Sequence, residues 1–108
     1  MKEWNEVYPE ITPAEVEERL KNGEKLNLID VREDDEWEAG HIAEAVSVPL
    51  SQFGERYEEL PKDQALIMVC RSGGRSGRAC DFLHAQGYNV TNMTGGMLAW
   101  NGDVAYGK

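Results

Sequence analysis

The stretch ALIMVCRSGGRSGRACDFLHAQG, Ala65 to Gly87, decides how this 108-residue chain is read. Its first six residues form an unbroken apolar run, the kind that is buried on both faces of a parallel sheet. The eight residues after Cys70 are all Arg, Ser or Gly, with no acid among them. From about Arg75 to Gln86 the pattern turns helical. Ala79, Phe82 and Leu83 fall on one face, and Gly87 suits the position just past the helix end. Strand, glycine-rich turn and helix in that order place Cys70 at the carboxyl end of a central strand, where open α/β sheets hold their ligands.

The flanking sequence repeats the alternation. ITPAEVEERLKNG (11–23) is a helix with both ends marked: Thr12 as N-cap, Pro13 at the first helical position, Glu15 completing a capping box and Gly23 as the stop. Val16 and Leu20 face inward. LNLIDV (26–31) is a short strand, DDEWEAG (34–40) a short helix or turn, and AVSVPL (45–50) another strand. Ser51 is expected to cap a helix running to Leu60, with Gly54 a weak point inside it. YNVTNM (88–93) is the last strand, Gly95-Gly96 a sharp turn and MLAW (97–100) a final helical turn. Strands that alternate with helices imply parallel pairing and an α/β domain. No repeat, linker or low-complexity segment divides the chain, so residues 1–108 are expected to form one domain around one modest core.

The net charge of −9 is unevenly spread. Residues 1–60 carry 17 acids and 6 bases (−11), and residues 61–108 carry 3 acids and 5 bases (+2). Arg71, Arg75 and Arg78 thus form a local positive patch in an acidic molecule. That distribution argues against nucleic acid or an anionic membrane as partner and suits a small anion held at one spot. No apolar run approaches the roughly 20 residues of a membrane span, and the start MKEWNE has no signal-peptide pattern. A cytoplasmic location and a monomer are the expectations. Two cysteines do not make a disulfide framework.

A strand that ends in a glycine-rich turn and enters a helix forms an anion cradle. Backbone N–H groups converge, the helix N-terminus adds positive potential, and glycines allow positive φ and close approach. Arg71 and Arg75 would add full charges. A cysteine at the base should be largely thiolate near neutral pH, an activated nucleophile that also attracts an anionic substrate. The alternative, a small buried hydrophobe ending a core strand, leaves the arginines unexplained. Cys80 is the opposite case, an inert thiol beside the core face of the helix. Nearly three helical turns separate the two cysteines, beyond disulfide reach.

Other residues favour plain structural readings. His41 is expected to hold its turn together by hydrogen bonds, and His84 to lie on a helix face. Neither joins the cysteines in a zinc pattern, so no metal is expected. SGGRSG lacks the lysine of a nucleotide-binding loop. Trp4, Trp37 and Trp100 are packing residues, and the acid run EDDEWE is a solvated face.

Cys70-Arg71-Ser72-Gly73-Gly74-Arg75-Ser76 resembles the active-site loop of rhodanese domains, the thiosulfate and related sulfurtransferases. LIDVREDDEWEAGHIAEAVSVPL (28–50) is similar to the amino-terminal signature of that family, with Asp30, Arg32, Gly40, His41 and Ile42 in the expected places. GYNVTNMTGGMLAW (87–100) is similar to the carboxy-terminal one. The length resembles the single-domain form. The resemblance implies a central parallel sheet of about five strands with helices on both faces, and catalysis without cofactor or metal. Cys70 would attack the outer sulfur of thiosulfate or another small anionic donor and become a persulfide. Arg71, Ser72, Gly73, Gly74, Arg75 and Ser76 would hold donor and persulfide. Cyanide, a small thiol or a thioredoxin-like protein would accept the sulfur. Asp30 and Arg32 follow a strand that should end beside the loop, and are expected to orient it rather than act as acid and base.

One departure stands out. The family pattern carries glycine where this chain has Glu44, in Gly40-His41-Ile42-Ala43-Glu44-Ala45. If that turn lines the pocket mouth, the added carboxylate alters donor preference. Two rivals remain. Phosphatases and arsenate reductases on a related fold need Cys-x5-Arg, but the sixth position after Cys70 is Ser76 and Arg75 falls at the fifth. A non-enzymatic binding module or sulfur carrier is the other, although inactive family members typically lack the cysteine that this chain keeps.

Overall fold

The structure is a computed structural model, and it describes residues 8–108. Trp4 and the charged residues around it lie outside the described residues. In chain order the elements are β1 (Glu10–Ile11), α1 (Pro13–Lys21), β2 (Asn27–Asp30), α2 (Asp34–Glu38), β3 (Ala45–Ser47), α3 (Phe53–Arg56), β4 (Ala65–Val69), α4 (Gly74–Ala85) and β5 (Asn89–Met93). Short 3-10 turns occupy Leu50–Gln52, Tyr57–Glu59 and Gly96–Ala99. The five strands form one sheet in the order β1-β5-β4-β2-β3, and every neighbouring pair is parallel. The apolar run that opened the sequence argument is therefore the middle strand.

Burial on both faces explains why β4 shows no polar alternation. Leu66, Met68 and Cys70 enter one core with Ile29, Val31, Phe53, Ala79, Cys80 and Leu83, under α3 and α4. Ile67 and Val69 point the other way, to a second core with Val16, Leu28, Ile42 and Met93 under α1 and the last 3-10 turn. Helices thus cover both faces, as a parallel sheet requires.

Helix α1 has the expected ends. The Thr12 hydroxyl accepts from the Glu15 N–H, the Glu15 carboxylate accepts from the Thr12 N–H, and Gly23 follows the helix at φ +84°. Each such cap is worth about 1 kcal/mol. The segment after β3 departs from expectation. Ser51 caps no helix to Leu60; it lies inside a 3-10 turn, and the stretch breaks into a four-residue helix between two such turns. The Ser51 hydroxyl instead donates to Glu33 at 2.7 Å. Phe82 also departs, lying 39% exposed at the edge of the face that buries Ala79 and Leu83. Its ring still packs edge-on against Tyr57, with centroids 4.8 Å apart. Strand β1 was not anticipated, since two residues show no period; they are held by pairing with Asn92 and Met93 of β5.

Candidate active site

The register sets the site. Asp30 pairs with Val69, and the Val31 N–H donates to the Val69 carbonyl at 2.9 Å, so the ladder between β2 and β4 runs to the edge of Cys70. From there the chain turns through Arg71, Ser72 and Gly73 into α4. Gly73 is the helix N-cap at φ +103°, a left-handed conformation that glycine adopts without strain.

That turn closes around the sulfur. The Gly73 N–H donates to Cys70 Sγ at 3.0 Å, and the Ser76 Oγ lies 3.3 Å from it. Burial pushes the Cys70 thiol up. Hydrogen bonds from the Ser76 side chain and the Ser76, Gly73 and Ser72 N–H groups outweigh it and hold the thiol below its ordinary value. The carbonyls that would oppose the negative charge are turned away. Cys70 O accepts from the Met97 N–H and Arg71 O from the Leu98 N–H, both at 2.9 Å. This clasp needs Gly96, because a Cβ there would stand 2.5 Å from the backbone of Cys70 and Arg71.

The arginines divide. Arg75 does not stand free over the loop, as the sequence led one to expect. Its guanidinium donates to both carboxylate oxygens of Glu36 on α2, at 2.7 and 2.8 Å. The Arg75 hydrogen bonds, partly offset by burial, lower the Glu36 carboxyl to about 2. Arg71 is exposed, and with Arg32, Glu36, Ala39, Met97 and Leu98 it lines a pocket of about 330 Å3 beside the loop. A larger depression of about 510 Å3 lies at the other end of the strands, near Leu26 and Ala65, and includes no loop residue.

Asp30 and Arg32 are buried and bind each other. Arg32 donates through its backbone N, Nε and Nη2 to the Asp30 carboxylate at 2.9 to 3.1 Å, and through Nη2 to the Gly40 carbonyl at 2.8 Å. Among the described residues, none of their hydrogen bonds goes to residues 70–76. They brace the turn before His41 and one wall of the pocket. His41 likewise holds structure: its Nδ1 lies 2.7 Å from the Trp37 carbonyl, and the two rings stack with centroids 3.6 Å apart. His84 lies near the Tyr8 ring, at 6.0 Å.

The run EDDEWE is more than a solvated face. Asp34, Asp35 and Glu38 are exposed, but Glu33 receives Ser51 and Glu36 holds Arg75. Glu44 does not reach the pocket mouth; it is exposed beside Glu17, Lys21 and Trp100 in a separate depression. Sequence reasoning missed Glu36 and Asn92. Asn92 is buried on β5, with its Oδ1 2.6 Å from the Ser76 Oγ.

Cys70 is thus buried at the end of the middle strand, with the Gly73 N–H and the Ser76 hydroxyl on its sulfur. The family model described as a rhodanese-like domain matches residues 12–103. The chain belongs to the rhodanese-like domain family. It is 43% identical over 95 residues to YtwF of Bacillus subtilis (strain 168), covering 88% of this chain and 92% of that one. To a sulfurtransferase of Allochromatium vinosum it is 39% identical over 92 residues, covering 84% and 86%. The crystal structure of a rhodanese-like domain protein from Staphylococcus aureus superimposes with a TM-score of 0.85 at 29% identity, over 93% of this chain and 99% of that one. Among the described residues, no helix of this rhodanese-like chain is long and apolar enough to cross a membrane.

Proposed function

We propose that this rhodanese-like protein is a sulfurtransferase that carries sulfane sulfur as a persulfide on Cys70. The observation that carries the reading is the Cys70 sulfur held by the Gly73 N–H at 3.0 Å, with its thiol below the ordinary value despite burial. In the first half-reaction the Cys70 thiolate attacks the outer sulfur of a donor such as thiosulfate. A new S–S bond forms, the bond to the sulfonate sulfur breaks, and its electron pair leaves with sulfite. The outer persulfide sulfur then carries the negative charge. In the second half-reaction an acceptor thiolate takes that outer sulfur, and the Cys70 thiolate returns. No net oxidant or reductant is consumed.

The protein's part is to stabilise anionic sulfur with preorganised N–H groups and the start of α4. With Arg75 bound to Glu36, Arg71 at the rim is the loop cation left to meet a donor's charge. Only 1% of Cys70 is exposed, which favours donors that present a small terminal sulfur. The phosphatase and arsenate reductase readings lose further ground, since the Arg75 guanidinium faces Glu36 and not the cradle.

The test is intact mass after incubation with thiosulfate or a low-molecular-weight persulfide, beside Cys70→Ser. The expected result is a gain of one sulfur on the wild type alone, removed by cyanide with release of thiocyanate. Absence of a gain with both donors overturns the reading and favours a binding module.

A further inference from the structure

Beside Cys70 two polar side chains are buried together. Ser76 is fully buried and Asn92 is 7% exposed. The Ser76 Oγ lies 2.6 Å from Asn92 Oδ1, 3.2 Å from the Gly73 carbonyl and 3.3 Å from Cys70 Sγ. A hydroxyl has one hydrogen to donate, so these three acceptors compete for it.

The orientation of the Asn92 amide is fixed by chemistry. Its Nδ2 donates to the Gly73 carbonyl at 3.2 Å, and that carbonyl can only accept. A flipped amide would set two oxygens against each other. Gly73 O also accepts from the Gly77 N–H at 3.0 Å, so it has donors without the serine. The contest therefore lies between Asn92 and the sulfur. We infer that Asn92 is a positioning residue for Cys70, competing with the sulfur for the single hydrogen of the Ser76 hydroxyl.

The two protonation states of Cys70 make different demands on that hydrogen. With sulfur as thiol, S–H donates to Ser76 Oγ and the hydroxyl donates to Asn92, so every hydrogen has an acceptor. When sulfur ionises, one of two losses follows. Either the hydroxyl turns to the sulfur and leaves Asn92 Oδ1 without its donor, or it stays and turns its lone pairs toward the negative sulfur. Both losses penalise the free thiolate. A persulfide escapes the penalty, because its charge sits on the outer sulfur and the hydroxyl can return to Asn92. Asn92 thus disfavours the resting thiolate relative to the loaded form.

Of the charged and titratable groups on the elements around Cys70, Arg75 and Cys80 on α4 feel its charge; Arg71 lies on the loop, Glu36 on α2 is paired with Arg75, and Asp30 at the end of β2 is paired with Arg32. Among the described residues none of their side chains hydrogen-bonds to the side chain of Ser76 or Asn92. The inference rests on reading Cys70 as the reactive thiol and is independent of which donor supplies sulfur.

The test measures iodoacetamide alkylation of Cys70 against pH, read on the Cys70 peptide by mass, in wild type, Asn92→Leu, Ser76→Ala and the double variant. Asn92→Leu is expected to lower the pH midpoint by about half to one unit, the scale of one hydrogen bond to a charged group. With Ser76→Ala already in place the same substitution should shift it little. A folded Asn92→Leu with an unchanged or raised midpoint, or an equal shift with and without Ser76, overturns the inference. A merely structural role would loosen the cradle and raise the midpoint. If circular dichroism shows Asn92→Leu unfolded, Asn92→Ala carries the test. It removes the acceptor without added bulk, so the midpoint should fall, and fall more with Ser76 than without it. An unchanged or raised midpoint, or equal falls in both backgrounds, overturns the inference. Absence of sulfur loading with every donor tried would defeat the proposed function and leave this midpoint comparison intact.

Discussion

Cys70 and Cys80 share one hydrophobic core cluster and are almost equally withdrawn from water, at 1% and 0% exposure. Burial alone should push both thiols up, and for Cys80 it does: burial first, then the charges of Asp81 and Cys70, raise it to about 12. Cys70 moves the other way because the Ser76 hydroxyl and the N–H groups of the turn are aimed at its sulfur. Among the described residues no hydrogen-bond donor reaches Cys80, which sits in the middle of α4 where every backbone N–H is already used. A thiol in a core is inert by default. What makes one reactive is a stretch of backbone left outside the regular ladders.

The largest effect to test is therefore the contrast between the two. At pH 7, iodoacetamide should label Cys70 at least about a thousandfold faster than Cys80, judged by peptide mass, since reactivity follows the thiolate fraction. Cys80→Ala should leave Cys70 labelling unchanged while lowering stability by about 1 kcal/mol for lost packing. Comparable labelling of both thiols in the folded protein would break the comparison.

Next comes Gly96→Ala. The added methyl meets the Cys70 and Arg71 backbone at 2.5 Å, so the clasp has to open. Expected outcomes are a loss of about 1–3 kcal/mol in urea melts and a rise in the Cys70 alkylation midpoint toward the ordinary thiol value. Sulfur loading should fall roughly tenfold or more with the lost thiolate. A normal midpoint in a destabilised variant would show that the clasp supports the fold and not the thiol.

The smallest effect belongs to Glu36→Gln. The carboxyl lies at about 2 against an ordinary 4.5, so its pairing with Arg75 adds stability that is fully present above pH 4.5 and lost as the pH falls toward 2. Both partners are partly exposed, which limits the gain to about half a kcal/mol. Urea melts at pH 7 and pH 3 should show the variant less stable than wild type at pH 7, with the gap narrowed at pH 3. A gap that does not change with pH would assign the loss to packing.

Much of this molecule was legible where the signal is local. The ends of α1 could be read because Thr12 and Glu15 satisfy each other within one turn. The cradle could be read because strand, glycines and helix start follow in one run. The missed features depend on partners far apart in the chain. Glu36 and Arg75 belong to α2 and α4, and nothing in the acid run marks which carboxylate turns inward. Asn92 is an ordinary strand residue until parallel pairing places it behind Ser76. Strand β1 exists only because β5 offers it an open edge. Ser51 caps no helix because its hydroxyl binds the Glu33 carboxylate, a partner that no local pattern marks.

The clasp of Met97 and Leu98 on the carbonyls of Cys70 and Arg71 also sets an order of events during synthesis. The cysteine and its loop leave the ribosome well before the segment that completes them. Until residues 96–98 arrive, those carbonyls lack their partners and the thiol has no finished cradle. If Gly96→Ala raises the midpoint as expected, the nascent chain carries an ordinary cysteine until the last turn has docked.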